Sequence, residues 1–190
     1  MNSPKSIFPV SCIILAGGRG ERAGGADKGL ITYKNKTLIQ HVIDRVGPQV
    51  DEIIISANRN LELYRQYSDK VVSDSLGDFQ GPLSGIASCL NHCEHEHILI
   101  VACDMPSLPN DLLSRLSGSM LNNSISIATV NNHHQLALLV KKDLSDSIVS
   151  QVTNKQLKLI QWVESVPFAS ISFDDASDAF LNLNTISDNN

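Results

Sequence analysis

The chain has 190 residues, 42% of them hydrophobic and 18% charged, enough for one globular domain with its own core. A formal net charge of −5 and an isoelectric point near 5.6 give no overall field for nucleic acid or an anionic membrane, so neither is expected as a partner. Arg19, Arg22, Lys28, Lys34 and Lys36 nevertheless cluster within eighteen residues. A basic patch in an acidic protein suits a small anion.

The opening MNSPKSIFPV lacks the apolar core of a signal peptide, and no stretch approaches the ~20 apolar residues of a membrane span. Cys12, Cys89, Cys93 and Cys103 are too few for a disulfide framework and read as free thiols. A cytoplasmic location is the expectation.

In chain order, VSCIILA (10–16) is a continuous apolar run before glycines, the pattern of a buried strand. TLIQHVIDRV (37–46) has helical spacing, with Thr37 as N-cap and Gly47-Pro48 as stop. EIIISAN (52–58) reads as a strand, NLELYRQY (60–67) as a short helix, and KVVSDS (70–75) as a strand ending at Asp74. A loop leads to a helix with Pro82 at its start. HILIVACDMP (97–106) is a further strand ending in Asp104, and LPNDLLSRLSG (108–118) a helix stopped by Gly118.

This alternation predicts an α/β fold: a single-domain, open, mostly parallel sheet with helices on both faces. Residues 10–118 would form the first half of this domain and 119–186 the second. In the latter, SISIATV (124–130) and LALLVKK (136–142) predict a small antiparallel element joined by NNHHQ. Helical segments around 143–164 and late strands at FASISF (168–173) and FLNLNT (180–185) complete the pattern. Ligands of open parallel sheets sit beyond the carboxyl ends of the strands. The glycine-rich loop, Ser56, Asp74 and Asp104 all fall there.

The loop LAGGRGERAGGADKG (15–29) has three readings besides a plain surface turn. Gly18-Arg19-Gly20-Glu21-Arg22-Ala23 matches a dinucleotide turn, yet Gly24-Gly25 interrupt the helix that should follow. The acidic ribose ligand expected at the end of the next strand is absent; Asn58 is there. A Walker P-loop needs Gly-Lys-Ser/Thr, and Lys28 lies between Asp27 and Gly29. A triphosphate cradle accounts for both glycines and charges: backbone amides of Ala16, Gly17 and Gly18 approach phosphate oxygens, with Arg22 and Lys28 as cationic donors.

The ordered set Leu15-Ala16-Gly17-Gly18, Arg22, Gly24-Gly25 and Asp27-Lys28 resembles the signature of the molybdenum cofactor guanylyltransferases. The resemblance continues through Asn58-Arg59, Asp74-Ser75-Leu76, Gly81-Pro82-Leu83-Ser84-Gly85, Cys103-Asp104-Met105-Pro106 and Asn182-Leu183-Asn184-Thr185, about residues 10 to 186. It implies transfer of GMP from GTP to molybdopterin with Mg²⁺, the LAGG form favouring guanine over cytosine. Asp104 would be the magnesium ligand, with Arg22 and Lys28 neutralising phosphate charge. Leu15, Ala16, Gly17, Gly18, Ser56 and Asp74 would hold the nucleotide, and Asn182 and Asn184 would lie near the pterin. Other cofactor-biosynthesis proteins or apo-molybdoenzymes are implied as partners. The chain departs from the family pattern at Ala23, at Ser56 where Asn is common, at Gln135 after His134 where the family has His-Pro, and at its SDNN end.

Competing readings attach to several residues. Asp74 and Asp104 could each cap a helix. CLNHCEHEH (89–97) offers Cys89, His92, Cys93, His95 and His97 as metal ligands, but the spacing fits no well-specified zinc site, and a solvated helix end is the reading preferred. Cys103 and Trp162 read as core residues. At the level of class, the alternatives are a GTP-binding carrier without transfer, or a related enzyme using CTP or another phosphate acceptor.

Overall fold

The computed structural model describes residues 8–17, 27–74 and 81–183. Gly18, Arg22, Ala23 and Asn184 lie outside the described residues, so the roles expected of them have no structural account here.

β1 (Val10–Leu15), β4 (Glu52–Ser56), β5 (Lys70–Val72) and β6 (His97–Ala102) pair in parallel. β1 lies between β4 and β6, in the order β5-β4-β1-β6. The pair expected to be antiparallel is β7 (Ile125–Val130) with β8 (His133–Lys141). Both join the main sheet, because β8 runs antiparallel along β6 while β9 (Phe168–Ser172) pairs in parallel with β7. A two-stranded hairpin of β2 (Thr32–Tyr33) and β3 (Lys36–Thr37) was not expected. Lys34 and Asn35 make its turn with positive φ, and the Asn is the only conventional signal for such a turn.

β1 shows how the sheet divides the core. Val10, Cys12 and Ile14 face one layer with Ile39, Val42 and Val46 of α1 (Leu38–Val46), Tyr64 of α2 (Leu61–Tyr64), and Leu112 and Leu116 of α4 (Leu112–Ser117). Ile13 and Leu15 face the other, with Leu83, Ile86 and Leu90 of α3 (Pro82–Leu90). That second layer also takes Ile148 and Val152 of α5 (Ser145–Thr153) and Trp162 of α6 (Leu159–Val163). A strand apolar on both faces is what a helix-covered parallel sheet requires.

Thr37 caps α1, its Oγ1 accepting from the Gln40 amide at 3.4 Å, and Pro82 opens α3. Trp162 is fully buried, its indole N–H donating to Ser147 Oγ at 3.1 Å. Two expectations need correction. α4 stops at Gly118 as expected, with that glycine in right-handed conformation (φ −60°), but it begins only at Leu112 and not at residue 108. FLNLNT supplies no strand over its described part: Phe180 closes a 3-10 turn (Asp174–Phe180), and residues 181–183 form no ladder. Leu181 is exposed, so the Leu/Asn alternation imitates a strand without the buried face that would hold one.

Candidate active site

A cavity of about 410 Å³ opens at the carboxyl ends of the parallel strands. Its floor is Leu15, Ala16 and Gly17 after β1, Ser56 at the end of β4, Asp74 beyond β5, and Cys103 and Asp104 beyond β6. Lys28, at the start of a 3-10 turn (Lys28–Leu30), stands at one side. Gly81, Pro82 and Gly85 of the α3 entrance form a wall, and Gln135, Leu136 and Asn182 complete the lining. All expected site residues within the described segments therefore border one cavity.

Lys28 Nζ and Asp104 Oδ2 are 3.1 Å apart, although 76 positions separate them. Their side chains are 29% and 13% exposed, so a ligand can reach both. Asp104 lies two residues past the end of β6 rather than in the strand, and the backbone leaving β6 is tied twice: Cys103 N–H donates to the Leu15 carbonyl at 3.1 Å, and Leu183 N–H to the Asp104 carbonyl at 2.9 Å. The second bond brings Asn182 to the cavity.

Asp74 is held by Asn58 through two contacts. Asn58 Nδ2 donates to Asp74 Oδ2 at 3.0 Å, and Asp74 N–H donates to Asn58 Oδ1 at 2.8 Å. Among the described residues, Asp74 Oδ1 is buried without a hydrogen-bond partner. Burial pushes the Asp74 carboxyl above its ordinary range, and the Asn58 amide only partly counters that. A half-buried carboxylate with one oxygen unsatisfied is a place for a ligand's donors.

Ser56 is buried at the end of β4. A Cβ at Gly85 would come within 2.7 Å of the Ser56 hydroxyl and 3.2 Å of Leu15 Cδ2, so glycine is required for α3 to approach β1 and β4 this closely. The same crowding limits what a larger side chain at position 56 could reach.

One detail of the phosphate cradle needs correction. Ala16 N–H already donates to the Ser56 carbonyl at 2.8 Å, extending the β1–β4 ladder one residue beyond the strand. Its amide is committed to the sheet and is no donor for phosphate.

Gln135 and Leu136 reach the cavity by way of a bulge. Ile127 faces Leu138, but Thr129 faces His134 rather than Leu136, so β8 carries two extra residues there. His134 turns instead to β9, with Nε2 3.1 Å from Ser170 Oγ. The wall glycines and the bulge were not assigned to the site from sequence; the run Gly81-Pro82…Gly85 at a helix entrance was their available signal.

Among the described residues, no three His, Cys, Asp or Glu side chains gather as a metal cage. Cys89 and Cys93 are buried, and burial pushes each thiol up to about 12, so both remain protonated core groups. The Asp104 carboxylate on a cavity suits the other way of binding a hard divalent cation, where substrate phosphates and water supply the remaining oxygens. No helix among the described residues is long and apolar enough to cross a membrane.

The family model for the MobA-like NTP transferase domain matches residues 12–165. A molybdenum cofactor guanylyltransferase of Shewanella putrefaciens is 37% identical over 180 residues, covering 93% of this chain and 92% of that protein. One from Shewanella baltica is 37% identical over 179 residues, covering 93% and 91%. Among solved structures, molybdopterin-guanine dinucleotide biosynthesis protein A of Archaeoglobus fulgidus has the same fold, with a TM-score of 0.75 at 20% identity and 94% coverage of both chains. A match spanning most of the sequence, supported by relatives above one-third identity over nearly all of it, gives the conclusion that this chain belongs to the MobA-like NTP transferase family and is a nucleotidyltransferase.

Proposed function

We propose that the enzyme transfers GMP from GTP to the terminal phosphate of molybdenum-bearing molybdopterin and releases pyrophosphate. The names of the Shewanella relatives supply the acceptor. The observation that carries the choice of guanine is the Asp74 carboxylate, which lines the cavity and keeps one oxygen without a hydrogen-bond partner among the described residues. Guanine presents adjacent N1–H and N2–H₂ donors, and an anionic acceptor pairs with them; adenine and cytosine each offer an amine beside an acceptor nitrogen.

In this reading the guanine lies against Asp74, Ser56 and the Gly81–Gly85 wall. The triphosphate runs over Gly17 toward Lys28 and Asp104. Lys28 neutralises charge on the α-phosphate and the leaving group, and Arg22 and Gly18 keep the phosphate roles that the resemblance implies. An oxygen of the pterin phosphate forms a bond to the α-phosphorus as the bond to the bridging β-phosphate oxygen breaks, and pyrophosphate carries away the electron pair. Such a transfer needs alignment and charge stabilisation, not a covalent protein intermediate. Asp104 would hold Mg²⁺, which supplies positive charge to the phosphates when bound. Gln135, Asn182 and Asn184 form the acceptor side.

The direct test is incubation with α-labelled GTP and molybdenum-bearing molybdopterin. Label in the guanine dinucleotide together with stoichiometric pyrophosphate is the expected result. GTP binding with no label transferred would replace transfer by a carrier role.

A further inference from the structure

We propose that Tyr64 and Asn60 are positioning residues that set Lys28 in the cavity by holding the Asp27 carboxylate before it, with the Tyr64 ring tip also against the Gly29 backbone after it. The inference rests on the phosphate role given to Lys28 above.

Asp27 occupies the N-cap position of the 3-10 turn that starts at Lys28, with extended geometry (φ −78°, ψ 111°). An aspartate there ordinarily accepts from the amides of the turn it opens. Here its side chain makes no capping bond. It points away, with Oδ1 accepting from the Tyr64 hydroxyl and Oδ2 from Asn60 Nδ2 at 3.1 Å. Both carboxylate oxygens are thus taken by the short helix α2, from its N-cap residue Asn60 and its last residue Tyr64.

That segment is built to receive them. Asn60 adopts a left-handed conformation (φ 52°, ψ 35°), uncommon outside glycine. Tyr64 is fully buried, so its hydroxyl is delivered from the core rather than from a swinging surface side chain. On the other side of Lys28, a Cβ on Gly29 would overlap the Tyr64 hydroxyl, so the ring tip rests directly on that residue's backbone. One tyrosine therefore bonds the residue before Lys28 and touches the residue after it. The turn is further closed by Leu30 N–H to the Asp27 carbonyl at 3.0 Å and Ile31 N–H to the Lys28 carbonyl at 3.1 Å. Only the lysine side chain is left to extend, and it ends 3.1 Å from Asp104.

A flexible lysine gains catalytic value when its stem is aligned beforehand. The two hydrogen bonds to Asp27 supply that alignment without either donor meeting the ligand.

The test is a double-mutant cycle on the full chain, read as GTP affinity by isothermal titration with Mg²⁺, comparing Tyr64→Phe, Lys28→Ala and the pair. Tyr64→Phe keeps the ring over Gly29 and removes only the hydroxyl. It is expected to weaken GTP binding about tenfold in the native background, the equivalent of one lost hydrogen bond to a charged partner. In the Lys28→Ala background it is expected to change affinity less than about twofold, because the group being positioned is gone. A merely structural role would give the same loss in both backgrounds and would overturn the proposal, as would no loss in the native background. Lys28→Ala binding GTP normally would instead remove the phosphate role itself, and this inference with it, a distinguishable outcome. Asn60→Gly keeps the left-handed backbone and deletes only the amide, so it repeats the cycle should Tyr64→Phe fail to fold; the same pattern is expected.

Discussion

Replacing Asp74 by Asn inverts the chemistry of the cavity floor at almost constant volume. Asn58 is fixed by the Asp74 backbone, since its Oδ1 accepts from Asp74 N–H at 2.8 Å, and its Nδ2 must therefore face residue 74 as a donor. An asparagine there has to turn its oxygen toward Asn58 Nδ2, which sends its own NH₂ to the place now held by the orphaned Oδ1. A donor then meets guanine's donors. Two hydrogen bonds to a charged acceptor are worth about 1.5–3 kcal/mol each. The half-buried setting of Asp74 reduces that, so we expect a loss of about 2–4 kcal/mol, or about 30- to 1,000-fold in GTP affinity. XTP carries a carbonyl oxygen where guanine has its amine, and its binding is expected to improve in the variant relative to GTP. Because burial disfavours the Asp74 charge, the empty variant should melt no lower than the native chain. Isothermal titration with both nucleotides and a thermal melt measure all three effects. GTP affinity within about twofold of native would refute the placement of guanine at Asp74.

Three further outcomes are expected. GTP affinity should hold steady at neutral pH and fall as pH drops through the raised carboxyl range of Asp74, because guanine binds the charged form; a fall confined to the ordinary aspartate range would contradict this, and Asp74→Asn should abolish it. At the opposite end of the sheet, burial works to raise the Glu52 carboxyl, but the Glu94 amide, Lys70 and the Ser11 hydroxyl together hold it below its ordinary value. Its stabilising contribution is therefore present above the ordinary glutamate range and lost as pH falls through the lowered one, so Glu52→Gln should flatten the acid limb of urea midpoints. Gly29→Ala should destabilise the fold by about 1–3 kcal/mol in chemical denaturation, since the new methyl displaces a buried tyrosine locked to Asp27; a neutral effect would show that this contact is loose.

The parallel half of the fold was legible because its signals are local. Largely apolar runs at 10–15, 52–56 and 97–102 lead into the glycine loop, Ser56 and Asp104, and Thr37, Pro82 and Gly47-Pro48 mark helix boundaries. The site residues were legible as a group for the same reason: each closes a strand or opens a turn at one sheet edge. What brings them together was not. Lys28 meets Asp104 across 76 positions, and Asn58 rather than any sequence neighbour orients Asp74. The Ala16 amide looked available because nothing in LAGG reveals that the β1–β4 ladder continues past Leu15. FLNLNT misled because alternation alone does not create a partner strand; Leu183 makes its bond to the Asp104 carbonyl instead.

The central claim is that this cavity binds GTP for nucleotidyl transfer. Titration of the full chain with GTP, ATP and CTP, each with and without Mg²⁺, tests it most directly. Selective GTP binding that tightens with Mg²⁺ is the expected result. A preference for CTP, or equal binding of all three, would contradict the assignment of guanine to Asp74.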